Sequence, residues 1–361
     1  MLDLDGVVYV GPDAVPGVPQ ALEQARGDGM RLAFVTNNAA RTPQTIAQHL
    51  TELGIAAEPE EVITSSQAAA RYLADRLPAG ARVLVLGTTG LTEALLERGL
   101  TPVQDAQGQV DAVVQGFSPT MDWTLLSEGA VAINRRVPWV ATNVDPTVPS
   151  PRGPLPGNGS LVKALQLATR VDPIVTGKPD PTMHRETVLR TGAATPLVVG
   201  DRLDTDIEGA NAVGCDSVLV FSGVTTLSDL LRAGALHRPT YLGQDLSEIL
   251  MVHPEVDVDG SAARCGRWRA SAERSGQADV RALLDSVSDD AQRPNAGVDR
   301  RPAKSSSLDG SGYGEDQLDA IRALCAAIWA GTDAAAEQVV VSAGDSHDAG
   351  DMLAGLRIDA Q

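Results

Sequence analysis

Between residue 31 and about residue 250, short apolar runs alternate with segments whose apolar positions recur at helical spacing. The runs at 31–36, 62–64, 82–87, 111–116, 138–143, 173–177, 197–200 and 217–221 are mostly continuous and rich in Val, as expected of strands covered on both faces. Helices are predicted between them. One opens with Thr42 as N-cap and Pro43 at the first helical position, and ends before Gly54. Others are expected over 67–77, 91–99, 123–135, 161–170, 181–191 and 204–213. Such alternation predicts an α/β fold with largely parallel sheets.

Beyond about residue 251 the pattern changes: Ser, Ala, Gly and charge dominate, and 291–314 has no apolar period. Helices are expected over 279–287 and 315–330, with a short strand over 338–342. This tail reads either as a small, poorly packed accessory unit or as partly disordered. No internal repeat is visible.

At 361 residues the chain is too long for one ordinary core and predicts two or three units. Aromatic residues make up 3% of it, so the cores must be built from Ala, Val, Leu and Ile. The formal charge of −18 argues against a nucleic-acid partner, whose binding rests on neutralised phosphates. An anionic substrate would need a local positive site. Cys215, Cys265 and Cys325 are far apart and form neither a disulfide framework nor a CxxC metal site. No apolar run approaches the roughly 18–20 residues of a membrane span, and the amino terminus lacks the basic segment and apolar core of a secretory signal, so none is expected. A cytoplasmic protein is expected.

Polar motifs follow the apolar runs, where an open parallel sheet binds its ligands. Asp3 and Asp5 stand two apart and are closed by Gly6; Thr36-Asn37-Asn38 follows 32–35; Lys178 follows 174–177; Asp201 follows 197–200. Alone, each has a plain reading as a turn, a cap or surface charge. Four in this order point to phosphorus chemistry. A phosphate monoester requires a nucleophile, a proton for the leaving oxygen, and neutralisation of the equatorial oxygens. Asp3 can attack, while Asp5 protonates the departing alcohol and then activates water. Thr36 and the Asn37 backbone can donate hydrogen bonds, and Lys178 brings fixed positive charge. Asp3, Asp201 and the Asp5 carbonyl suit Mg²⁺, which takes oxygen ligands. Gly177-Lys178 is no P-loop, because Asp172 stands at the earlier glycine position and Pro179 replaces Ser or Thr.

These residues resemble the four motifs of the haloacid dehalogenase superfamily of phosphatases, with Asp206 joining Asp201 in the fourth. Thr36-Asn37-Asn38, Ala141-Thr142-Asn143-Val144-Asp145-Pro146 and Pro156-Gly157-Asn158-Gly159-Ser160 resemble the subfamily that carries a large α/β cap. The resemblance implies a Rossmann-like parallel-sheet core over 1–78 plus 172–250, an inserted cap over 79–171, and a small α+β or partly disordered C-terminal extension over 251–361. Within the subfamily, the acidic composition and the appended region are most similar to mycobacterial-type glycerol-3-phosphate phosphatases, whose tail resembles an acetyltransferase fold. Arg274-Ser275-Gly276-Gln277-Ala278 is one residue short of an acetyl-CoA loop, so a structural tail without transferase activity is expected.

The resemblance implies a Mg²⁺-dependent hydrolase of a small phosphomonoester, with glycerol 3-phosphate first, and 2-phosphoglycolate or a nucleotide as alternatives. Homodimers occur in the family, and neither a membrane nor a nucleic-acid partner is implied. Asn38, Asn143 and Arg152 are the substrate-loop candidates within 143–160. Gly157-Asn158-Gly159 reads as a phosphate cradle or as a plain cap turn. Competing readings are phosphoryl transfer to a sugar, and a catalytically impaired binding protein. The last follows from the amino terminus, where Met1 and Leu2 alone precede Asp3. That predicts a true start upstream, or a weakened first strand.

Overall fold

The computed structural model describes residues 1–148, 150, 152–275, 279–287, 313–330, 332, 334–344 and 346–356. The chain divides into two compact units, one of residues 1–198 with 209–215 and one of residues 199–208 with 216–361.

In the first unit, Phe34–Thr36 and Val62–Thr64 pair in parallel, and every residue of both is buried. The helix Pro43–Glu52 begins at Thr42, whose hydroxyl accepts the Thr45 amide at 3.2 Å. This removes one of the unpaired donors at the helix start. A parallel five-stranded sheet follows in the order Ile174–Val175, Trp139–Ala141, Ala112–Gln115, Arg82–Leu86, Thr101–Val103. Its residues alternate between two cores. Val83, Val85, Ala112, Val114 and Val140 pack with Leu73, Leu91 and Leu95 on one face. Leu84, Leu86, Val113, Trp139 and Ala141 pack with Ile133, Val162 and Leu165 on the other. Two covered faces explain why the strands read as unbroken apolar runs.

The helix Thr182–Thr191 follows the Lys178 segment and buries His184 to 1% exposure against Gly209. Burial, reinforced by the charge of Lys178, lowers the His184 pKa to about 3. The folded state therefore refuses a proton that the unfolded chain accepts below about pH 6.5. Between pH 6.5 and 3, stability must fall as pH falls, by up to ~1.4 kcal/mol per pH unit from this group. In His184→Gln this component of the slope should vanish, as read by thermal unfolding from pH 7 to pH 5. An unchanged slope would refute the assignment.

In the second unit, Asp216–Val220 pairs in parallel with Tyr241–Gly243. A five-stranded sheet runs in the order Asp257–Asp259, Ala262–Cys265, Trp268–Ser275, Asp279–Ser286, Gln338–Ala343, the last pair parallel and the rest antiparallel. The helix Glu315–Trp329 lies against it with Leu318, Ile321, Leu324, Cys325 and Ile328 buried. These side chains belong to one core with Leu219, Leu227, Leu230, Leu231 and Leu242. Arg238 donates to the Trp329 and Thr332 carbonyls at 3.4 and 2.5 Å, satisfying acceptors at the end of that helix. The tail is thus a packed layer that shares its core with residues before 250.

The helix expected over 279–287 is a strand. Val280, Ala282 and Leu284 are buried while Asp279, Arg281 and Leu283 are exposed, a period of two that a helix cannot produce. The segment 204–213 divides into a π-helical turn, Leu203–Ile207, and the helix Glu208–Val213. Of the expected loop over 291–314, residues 291–312 lie outside the described residues. So do 276–278 of the segment weighed as an acetyl-CoA loop. Among the described residues, no helix is long and apolar enough to cross a membrane.

Candidate active site

Leu2 donates to the Ala33 carbonyl at 2.8 Å and accepts from Val35 at 2.7 Å, which sets Asp3 beside Phe34–Thr36. The chain then turns sharply. The Leu4 carbonyl accepts the amides of Val7, Val8 and Tyr9, and Gly6 takes φ 87°, a conformation that glycine adopts without strain. Leu4, between the two aspartates, is wholly buried. The turn needs glycine immediately after the second acid, which is why Asp-x-Asp-Gly is informative as a unit.

Lys178 is 3% exposed, and its Nζ donates to Asp3 Oδ1 at 2.5 Å and to the Val35 carbonyl at 3.1 Å. A buried ammonium needs such partners to remain charged. Its backbone is held from both sides by one side chain: Asn37 Oδ1 accepts the Lys178 amide at 2.8 Å, and Asn37 Nδ2 donates to the Lys178 carbonyl at 3.1 Å. A Cβ at Gly177 would stand 2.1 Å from the Thr142 carbonyl and 2.7 Å from Asn37 Oδ1, so only glycine lets the segments meet. Asp5 reaches solvent from a crowded neighbourhood. Desolvation raises its carboxyl above the usual range, opposed by the charges of Arg41, Lys178 and His49. A carboxyl that holds its proton more readily suits a general acid.

Thr36 is buried, and its Oγ1 accepts the Asn38 amide at 3.1 Å. Asn38 spends its Oδ1 on the amides of Ala40 and Arg41, closing a turn. Asn143 is 4% exposed, and its amide donates to the Asn37 carbonyl at 2.8 Å and accepts from Asp145 at 3.3 Å. Arg152 is exposed, with its backbone amide on Ser150 Oγ at 3.1 Å. Two residues were not singled out from the sequence. Asp145 accepts from Asn37 Nδ2 at 3.3 Å, and Arg41 is the leading charge opposing the raised carboxyl of Asp5. Asp145 did carry a signal, standing two residues after Asn143 at the end of an apolar run.

In the second unit, Asp201 is wholly buried and Asp206 is 1% exposed. Each offers a carboxylate oxygen, the two within 4.8 Å of one another. Asp201 Oδ2 accepts the Val224 amide at 2.7 Å, and a Cβ at Gly223 would stand 2.0 Å from that oxygen. Asp206 Oδ2 accepts the Arg202 amide at 3.3 Å, and Gly200 leaves it room. Two buried carboxylates this close repel unless a proton or a cation intervenes. Oxygen donors without sulfur or nitrogen fit a hard divalent ion such as Mg²⁺.

Comparison with known proteins agrees with this geometry. Residues 1–101 match the family model of haloacid dehalogenase-like hydrolases, residues 175–249 match a HAD-hydrolase-like model, and residues 302–357 match a GCN5-related N-acetyltransferase-like domain. The chain is 48% identical over 272 residues to the D-glycerol 3-phosphate phosphatase of Mycobacterium tuberculosis, covering 73% of this chain and 76% of that protein. It is 36% identical over 252 residues to the acid sugar phosphatase of Staphylococcus aureus, covering 69% and 95%. The crystal structure of glycerol phosphate phosphatase from Mycobacterium tuberculosis in complex with magnesium superposes with a TM-score of 0.79 at 39% identity, covering 99% of this chain and 96% of that one. With an aspartate pair on a glycine turn, a buried lysine and a buried acidic pair all in family order, the chain belongs to the haloacid dehalogenase-like hydrolases.

Proposed function

We propose that the chain is a magnesium-dependent phosphatase that releases phosphate from glycerol 3-phosphate. The observation that carries this reading is the bond from buried Lys178 to Asp3, which fixes a carboxylate and a positive charge on one point. An Asp3 oxygen attacks phosphorus, the ester P–O bond breaks, and Asp5 gives its proton to the departing glycerol oxygen. Asp5 then takes a proton from water as that water attacks phosphorus, and the bond to Asp3 breaks to restore the carboxylate. Lys178, the Thr36 hydroxyl and the Asn37 amide face the charge that the phosphoryl oxygens carry.

Asp201 and Asp206 would supply carboxylates to the metal, and this reading takes Asp3 and the Asp5 carbonyl as its other oxygen donors. Bound there, Mg²⁺ would neutralise charge on the phosphoryl oxygens. Residues 79–171, which hold four of the five strands of the parallel sheet, act as a cap that shields the reaction from water. The name of the 48%-identical relative supports glycerol 3-phosphate as the substrate; a cytoplasmic role in glycerophospholipid metabolism is the setting this reading proposes. The C-terminal region serves the fold, since Leu318, Ile321 and Leu324 share one core with Leu227, Leu230 and Leu231; this reading gives it no transferase role.

A phosphate-release panel tests the reading. Glycerol 3-phosphate should give a higher kcat/KM than 2-phosphoglycolate or p-nitrophenyl phosphate, and EDTA should stop all three. A preference for 2-phosphoglycolate would overturn the substrate, and turnover in EDTA would overturn the metal.

A further inference from the structure

Three asparagines, far apart in sequence, join end to end behind Lys178. Asn158, the first residue of the helix Asn158–Thr169, is 1% exposed and its Nδ2 donates to the Asn143 carbonyl at 2.7 Å. Asn143 Nδ2 donates to the Asn37 carbonyl at 2.8 Å. Asn37 in turn holds the amide and the carbonyl of Lys178 at 2.8 and 3.1 Å.

The glycines flanking Asn158 are explained by the same contact. A Cβ at Gly159 would stand 2.1 Å from the Val144 carbonyl, and one at Gly157 would stand 2.4 Å from the Asp145 carbonyl. Only bare backbone lets the helix start approach 143–145 closely enough for Asn158 to bond there. The Gly157, Gly159 and Ser160 amides are spent on the carbonyls of Pro146, Asp145 and Gly157, so they do not cradle a phosphate. Asn158 Oδ1 is buried without a protein hydrogen bond among the described residues. A buried acceptor of this kind is a net cost, which an apolar side chain of similar size would avoid. Donation to Asn143 is what an amide at this position provides.

We propose that Asn158 is a positioning residue for the lysine: through Asn143 and Asn37 it sets the Lys178 backbone, so the helix of the inserted segment fixes the charge that meets the phosphoryl group. This rests on the reading of Lys178 as the phosphate-binding cation. Partners that orient a functional group from behind are worth about 10- to 100-fold in function.

Asn158→Asp keeps the shape and removes the donor. It should lower kcat for p-nitrophenyl phosphate by about 10- to 100-fold, with KM within about twofold, and the oxygen it sets against the Asn143 carbonyl should lower the unfolding temperature. Asn143→Ala, one link nearer the lysine, should do the same, and the double variant should be no worse than the poorer single one. Calorimetric titration with orthovanadate, which needs no turnover, should weaken by the same factor in each variant. If wild-type protein hydrolyses no ester, the phosphatase reading fails, and the orthovanadate titration still decides the relay. A folded Asn158→Asp with unchanged kcat and orthovanadate binding, or fully additive losses in the double variant, would overturn the proposal. Should Asn158→Asp not fold, Asn143→Ala decides by the same two readouts.

Discussion

Replacing Asp3 by Asn will abolish phosphate release while leaving the fold in place. The amide matches the carboxylate in shape and keeps an oxygen to accept from Lys178 Nζ, which now bonds Asp3 Oδ1 at 2.5 Å. It is a far poorer nucleophile, and it brings one negative charge fewer to the metal. Loss of a nucleophile from a catalytic set of this kind costs about 10⁴-fold or more in kcat. Far-UV circular dichroism and thermal unfolding should stay close to the parent protein. Phosphate release that survives Asp3→Asn would move the nucleophile to another residue.

Ending the chain after Leu250 should cost most of the soluble protein. Leu227, Leu230, Leu231 and Leu242 are at most 5% exposed, and they share one core with Leu318, Ile321 and Leu324 beyond the cut. Uncovering even two such leucines forfeits about 3–6 kcal/mol, against roughly 5–15 kcal/mol for a whole domain. Arg238 would also lose the carbonyls of Trp329 and Thr332. Expression of residues 1–250 beside the full chain, compared by soluble yield and unfolding temperature, checks this. Equal yield and stability would show that the tail is dispensable to the core.

The first unit was legible because the strands of its five-stranded sheet are buried on both faces. Arg82–Leu86 and Ala112–Gln115 contribute to cores on either side, so each reads as an unbroken apolar run that ends where the polar residues begin. The tail was harder for the opposite reason. Trp268–Ser275 and Asp279–Ser286 are covered on one face only, and their inward positions include Ala270, Ala272 and Ala282. Alanine carries little hydrophobic contrast and favours helix, which hid the period of two.

Within the site, residues fixed by their own strand ends were readable. Thr36, Lys178 and Asp201 each close an apolar run, and Asp3 was marked by the second acid and glycine at Asp5-Gly6. Roles that depend on distant partners were not. Asn37 meets Lys178 across 141 positions and Asp145 across 108, and Asn143 turns to the core loop rather than to solvent. Nothing local distinguishes an asparagine that braces a lysine from one that caps a turn.

A covalent bond between substrate phosphorus and Asp3 is the centre of the account, and rapid acid quench with ³²P-labelled glycerol 3-phosphate tests it most directly. Label should appear on the amino-terminal peptide containing Asp3 within the first turnover, decay as phosphate is released, and be absent from Asp3→Asn. Phosphate release without any labelled peptide, or label on a different residue, would contradict it.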